Sequence, residues 1–303
     1  MDAVLVSEDE PSKRYSVVRG IPRLIPEMVH PAATETANRF AAEWKRFSHS
    51  ADHDKEWLSG WLAPLGPEDF RGKVVFEGGC GKGRHTRVMA TEWGVKDIVA
   101  LDLGEAAEVA FEGTRDLPNV HVVQGDLLQP CVARQSFDVA FSIGVLHHLQ
   151  DPRGGFARLV SLVKVDGIVA CWVYGRENNE WIVRLVNPVR ERVTSKMPHN
   201  LLYWASLPVA VGLTAWSRLY RTQLSEHLPY APYMKLLSAV PVREVQLVVY
   251  DQLVTPLAEY LPREEIESWF RAENLPDARI RWHNEHSWAC SAVVPERRSS
   301  ASC

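Results

Sequence analysis

Short apolar runs that stop at a glycine or an acid alternate with stretches of helical period through the middle of this chain. Lys73–Gly79, Asp97–Leu103, Val120–Gly125, Phe137–Ile143 and Ile168–Tyr174 read as strands, and Arg84–Trp93, Glu105–Asp116 and Pro152–Val163 as the helices between them. Such alternation predicts an α/β fold with a parallel sheet. Ahead of it, Ala37, Phe40, Ala41, Trp44 and Phe47 recur at helical spacing in an aromatic-striped helix, and a second helix over Asp54–Leu65 stops at Gly66-Pro67. Behind it the rhythm breaks at an insertion from about Gly175 to Tyr260. A helix at Pro262–Glu273 then precedes two apolar runs, Arg279–His283 and Trp288–Val294, around Asn284-Glu285-His286.

Chemistry concentrates where the first strand ends, at Glu77-Gly78-Gly79-Cys80-Gly81-Lys82-Gly83. A strand that turns through glycines lets backbone amides approach a ligand, because no Cβ intervenes and positive φ is cheap. The Glu77 carboxylate is expected to face that ligand. Asp102 ends the next strand, placed to accept from ribose hydroxyls, and Asp126 ends the third, placed to meet an adenine amino group. All these termini share the carboxyl edge of the sheet, where ligands of such folds bind. A dinucleotide fingerprint, G-x-G-x-x-G, is incomplete, since Arg84 stands where its last glycine belongs. A ligand without a pyrophosphate is therefore favoured. The bland alternatives are an ordinary tight turn, two aspartates that merely cap helices, and a His147-His148 pair that only packs.

These segments resemble the class I S-adenosylmethionine-dependent methyltransferases over roughly Phe70 to Val294. The resemblance implies a Rossmann-like, doubly wound, mostly parallel seven-stranded sheet, with an N-terminal helical extension and a helical insertion after strand five. It implies S-adenosyl-L-methionine as cofactor, held by Glu77, Gly79, Cys80, Gly81 and Gly83, by Asp102 with Leu103, by Asp126 with Leu127, and by Ser142 and Ile143 beside the sulfonium. Phe40 and Trp44 are expected to cover it. His148, His147 and Tyr174 are the candidate catalytic residues, with His148 first because it follows strand four, and Tyr174, Asn284 and His286 are the candidate substrate contacts. His286 is a further candidate base.

Domain limits follow: an arm over 1–33, covering helices over 34–70, the cofactor-binding core over 71–175, the apolar and basic insertion over 176–260, a closing helix and strand pair over 261–295, and a tail over 296–303. The arm carries Tyr15 to Pro26, similar to the tail of small zinc-ribbon modules, without the cysteines such a ribbon needs upstream. Five scattered cysteines without C-x-x-C spacing argue for a reduced, cytoplasmic compartment and against a structural metal. The acidic, polar N-terminus lacks the order of a secretion signal.

A formal net charge of -4 offers no overall attraction for nucleic acid. Met197–Ser217 carries no charged residue, with Arg184, Arg190, Arg192 and Lys196 before it and Arg218 and Arg221 after it. Such a segment suits either the membrane interface or a helical lid or dimer face that buries Trp204, Leu207 and Trp216. The expected acceptor is accordingly a small-molecule or lipid-like compound methylated on oxygen or carbon rather than nitrogen, with peripheral contact at the inner face of the membrane through 197–217. The alternatives are a tRNA-modifying methyltransferase, and a non-catalytic cofactor-binding scaffold.

Overall fold

The computed structural model describes residues 3–8, 10–46, 54–222 and 227–296. Phe47, the last position of the aromatic stripe, and nearly all of the 296–303 tail lie outside the described residues. Three short strands come first, β1 (Ala3–Val6), β2 (Arg14–Val18) and β3 (Ile21–Leu24), followed by α1 (Pro31–Arg46), α2 (Asp54–Leu62) and α3 (Pro67–Phe70). The core continues with β4 (Val74–Gly78), α4 (Arg84–Val88), β5 (Asp97–Asp102), α5 (Ala106–Thr114), β6 (Val120–Gly125), β7 (Phe137–Ile143), α6 (Pro152–Leu162) and β8 (Val163–Tyr174). Four insertion helices follow, α7 (Asn187–Arg192), α8 (His199–Arg218), α9 (Ala231–Ala239) and α10 (Val242–Val254), before α11 (Arg263–Ala272), β9 (Arg279–His283) and β10 (Ser287–Val293) close the chain.

One sheet runs through the molecule in the order β1-β2-β3-β6-β5-β4-β7-β8-β10-β9. From β3 to β8 every neighbouring pair is parallel, while β10 pairs antiparallel with both β8 and β9. The seven strands from β6 to β9 are those expected from the apolar runs. Three more come from the N-terminal segment, where Arg19 and Gly20, both at positive φ, turn β2 into β3. β3 then covers the open edge of β6, which would otherwise expose unpaired backbone groups. Arg23 secures this junction by donating to Gln124 Oε1 at 2.7 Å and to Glu108 Oε1 at 3.0 Å.

Strand order reverses between β5 and β7, on either side of β4, so the turns after β4 and β7 diverge and leave a crevice at the carboxyl edge. Each sheet face carries its own core. Phe76, Phe156, Leu159, Trp269 and Phe270 fill one side under α6 and α11, and Phe70, Met89, Trp93 and Phe141 the other under α2, α3 and α4. Helix α6 begins cleanly because Asp151 accepts from Gly154 N at 2.8 Å and Pro152 needs no amide partner.

The insertion packs as its own small cluster, with Leu202 against Leu247, Tyr250 and Val254, and Ala210 against Leu237, Val245 and Val249. The charge-free segment becomes α8, whose inward stripe is small: Leu202, Ser206, Ala210, Thr214 and Ser217. Trp204 and Trp216 face solvent at 65% and 55% exposure, so the lid does not bury them. Arg190, counted with the basic flank in the sequence, is fully buried and donates to Ala258 O. Among the described residues no helix is long and apolar enough to cross a membrane.

Phe156 meets Phe270 at 4.6 Å and Trp269 at 5.9 Å between ring centroids, with no exposure of its own. Phe156→Ala is expected to lower unfolding free energy by about 3–5 kcal/mol, read from urea denaturation.

Candidate active site

The glycine turn is built by a set of short backbone bonds. Gly79 N and Cys80 N donate to Leu101 O at 2.7 and 2.9 Å, tying the end of β4 to its neighbour β5. Gly79 and Gly81 take φ of +81° and +54°. Each glycine is also a close approach: a Cβ on Gly79 would collide with the Val145 side chain, and one on Gly81 would lie 2.9 Å from Trp44 Nε1. Asp102 spans the next loop, accepting from Gly81 N and from Gly104 N, both at 2.9 Å. Two of its lone-pair sites are thereby used and the others remain for a ligand. Asp126 accepts from Leu128 N at 2.9 Å through one oxygen, closing a turn with no helix behind it, and leaves the other.

A cavity of about 660 Å³ opens above these turns. Gly79, Cys80, Gly81, Asp102, Leu103, Asp126, Leu127 and Ile143 line one half of it, with Phe40 and Trp44 of α1 as a roof. Three other candidate cofactor residues do not reach its wall. Glu77 is buried beneath the turn, where its carboxylate takes the Thr86 hydroxyl and lies 3.4 Å from His85 Nδ1, so it turns away from the cavity. Burial lifts Glu77 to about 8 against the opposing pull of that hydroxyl, and pushes His85 well below the usual imidazole range, so the pair meets as neutral groups around neutral pH. Gly83 starts α4 against Ala110, and Ser142 donates to Gly78 O at 2.8 Å within the sheet.

The other half of the cavity is aromatic. Trp61, Trp172, Tyr174, Tyr233, Tyr260 and His286 wall it, and His148 and Asn284 also border it. His147 lies behind them, wholly buried, accepting from Tyr174 N at 3.3 Å. His148 shares a 2.6 Å bond with Leu257 O, which requires its Nδ1 to carry the hydrogen and leaves Nε2 as the acceptor, while its ring meets Phe40 edge-on at 5.0 Å. Burial holds His148 down to about 4 and His286 down to about 3. Both rings are neutral near pH 7.

Four contributors were not foreseen. Arg84, the residue that broke the dinucleotide fingerprint, lies over Trp44, Trp57 and Trp61 at 5.9, 5.8 and 5.2 Å and 3.6 Å from Asp54 Oδ1. Its signal was in the sequence, as an arginine where a small residue was wanted. Asp251 and Tyr233 come from the insertion helices, and Glu43 from α1. Nothing in their sequence neighbourhoods marks them. Glu43 has no exposure and neither carboxylate oxygen has a hydrogen-bond partner, so burial, reinforced by Asp251, pushes it well above the usual carboxylate range.

Two outcomes follow from this geometry. Gly79→Ala must strain a left-handed turn and displace Val145, and is expected to weaken S-adenosylmethionine binding by about tenfold or more in calorimetric titration, on ~1–3 kcal/mol of strain. Glu43 binds its proton more tightly folded than unfolded, so its contribution is present at low pH and lost as pH rises above the unfolded value through its raised folded one. Glu43→Gln should match the parent melting temperature near about pH 4 and exceed it near about pH 8, measured without cofactor.

Comparison with known proteins places this geometry. Residues 76–171 match the methyltransferase domain family. A tRNA U34 carboxymethyltransferase of Shewanella sediminis is 29% identical over 176 residues, 49% of this chain and 52% of that protein, and one of Idiomarina loihiensis is 32% identical over 172 residues, 54% and 50%. The chain thus spans about half the length of the curated relatives it matches. A solved S-adenosylmethionine-dependent methyltransferase from Aquifex aeolicus is 14% identical, with a TM-score of 0.49 over 84% of this chain and 98% of that one. The relatives are named for a tRNA base, which overturns the expectation of a small-molecule or lipid-like acceptor. That expectation leaned on net charge and on an apolar segment, and neither reports on what lines the cavity. The two glycine cradles, and the free lone pairs of Asp102 and Asp126, fit the nucleoside and amino-acid parts of the expected cofactor. The family match starts on the strand that feeds the glycine turn and ends on the strand that carries Tyr174, so residues 76–171 of this chain carry a methyltransferase domain, and S-adenosylmethionine is its cofactor.

Proposed function

We propose that this protein modifies a base of transfer RNA, receiving the base in the aromatic half of the cavity and the cofactor in the glycine and aspartate half. The observation that carries the reading is the continuity of the two halves in one 660 Å³ space. Enzymes that act on a base take it out of the stack and hold it between flat side chains. Trp61, Trp172, Tyr174 and Tyr233 supply such walls, with Asn284 and Gln252 as neutral hydrogen-bonding groups on the same lining. A net charge of -4 gives the phosphates no overall attraction, so contacts to them fall to local basic side chains. The names of the curated relatives support the same acceptor class over the half of their length that is shared.

When bound, S-adenosylmethionine supplies an electrophilic carbon on a positively charged sulfur. The chain's contribution is then chiefly to hold acceptor and donor in line, an effect that can supply ~7–11 kcal/mol. Gly79, Gly81 and Ile143 are assigned to seat the donor end, and Asp102 and Asp126 to seat the nucleoside. Phe40 and Trp44 of α1 exclude water from above. His148 is assigned to shape the junction between the halves: held near 4, its ring is a weak proton acceptor at neutral pH.

Incubation of the protein with S-adenosylmethionine labelled in its methyl group and total tRNA is expected to place that methyl in one nucleoside of the digested RNA, identified by its mass. Binding of the cofactor with no label in any RNA or small-molecule fraction would instead support the scaffold reading. Trp61→Ala should raise KM for tRNA by about tenfold while leaving cofactor affinity unchanged, since base–aromatic stacking contributes ~1–3 kcal/mol.

A further inference from the structure

Four carboxyl groups border the cavity, and they are not equivalent. Asp102 and Asp126 engage backbone amides at the cofactor rim. Glu43 is closed off, with no exposed surface. Asp251, on α10, is partly open to the aromatic half and accepts one strong bond, from the Tyr174 hydroxyl to Oδ2 at 2.9 Å. Resting on the transferase reading above, we propose that Asp251 is the proton acceptor of the reaction, taking through Oδ1 the dissociable proton of the acceptor's nucleophilic oxygen or nitrogen.

The placement suits the role. Tyr174 sits at the carboxyl end of β8, stacked on Tyr260 at 5.3 Å and tilted against His147 at 3.9 Å, so its hydroxyl holds the Asp251 carboxylate in a set orientation. An acceptor ring lying among these aromatic side chains presents its edge to Oδ1. In the step itself, the acceptor's lone pair forms the new bond to carbon, the carbon–sulfur bonding pair leaves with sulfur as a neutral thioether, and the acceptor's proton moves to Asp251. One positive charge on sulfur and one negative charge on the carboxylate are consumed together, so no oxidant or further reactant is needed.

The groups facing Asp251 come from every neighbouring element: Tyr174 of β8, Arg84 of α4, Arg190 of α7, Glu43 of α1, Tyr233 of α9, and Tyr260 in the segment after α10. Burial raises Asp251 to about 6, against the lowering pull of the Tyr174 hydroxyl, Arg84 and Arg190. A base matched to neutral pH transfers a proton most effectively. His148, held near 4, is less well matched.

Asp251→Asn tests the role because an amide oxygen still accepts from Tyr174 and keeps α10 anchored to the sheet, yet cannot take the proton. With tRNA and S-adenosylmethionine, the parent's kcat/KM should rise with pH through an inflection near 6. The variant should be about 10²–10⁴-fold slower and lack that inflection. Asp251→Glu should recover part of the rate, and calorimetric affinity for S-adenosylmethionine should be equal in all three. Carbon NMR of aspartate-labelled protein should reveal a carboxyl titrating near 6 that disappears in Asp251→Asn. An active parent whose Asp251→Asn variant keeps its rate and its inflection, or a parent without that NMR titration, overturns the role of Asp251 alone. A parent that binds the cofactor but never labels tRNA overturns the acceptor assignment, and this role with it.

Discussion

A single close approach organises the molecule: the turn that follows β4 and the turn that follows β7 meet at Gly79 and Val145, with no room for a Cβ between them. Those two turns leave adjacent strands in diverging directions, and the crevice between them is the cofactor half of the cavity. Asp102 holds the arrangement from the other side, by accepting amides from both the glycine turn and its own loop. The sheet behind is buried on both faces by separate aromatic clusters, so the strand ends that carry these residues are held in register by packing far from the ligand.

The second constraint is electrostatic. Burial drives His85, His147, His148 and His286 toward the neutral form and Glu43, Glu77, Asp102 and Asp251 toward the protonated one. Of the carboxyls that line the cavity, Glu43, Asp102 and Asp251 are thus each less readily ionised than in water. A cation placed among those acids favours their ionised forms, so cofactor binding and the readiness of a carboxylate to accept a proton are coupled through the same low-dielectric space. Arg84, placed over three tryptophans, and Lys82, over Trp44, bring positive charge to this wall.

The insertion changes what the core can do. A strand-and-helix core alone ends at Tyr174; α9 and α10 bring Tyr233 and Asp251 to it, and the turn between β9 and β10 brings Asn284 and His286. The aromatic half is thus assembled from segments separated by more than a hundred positions of chain. The most apolar stretch, 197–217, faces its tryptophans outward on α8 and contributes only Val209 and Leu213 to the cavity.

Local pattern was enough to define the alternation of strands and helices from Lys73 to Tyr174, the closing strand pair, and the glycine turn with its following acids, because each depends on residues adjacent in sequence: periodicity, positive φ and strand termini. It also supplied Asp102 and Asp126 as rim residues. Side-chain direction was another matter. Glu77 turned under the sheet toward Thr86, Gly83 and Ser142 served packing and backbone bonding, and Arg190 went inside, since burial and partners are set by elements distant in sequence. Only the tertiary structure joined Asp251 to Tyr174 and closed the aromatic half around them, for that contact spans 77 positions and leaves no periodic trace in the chain.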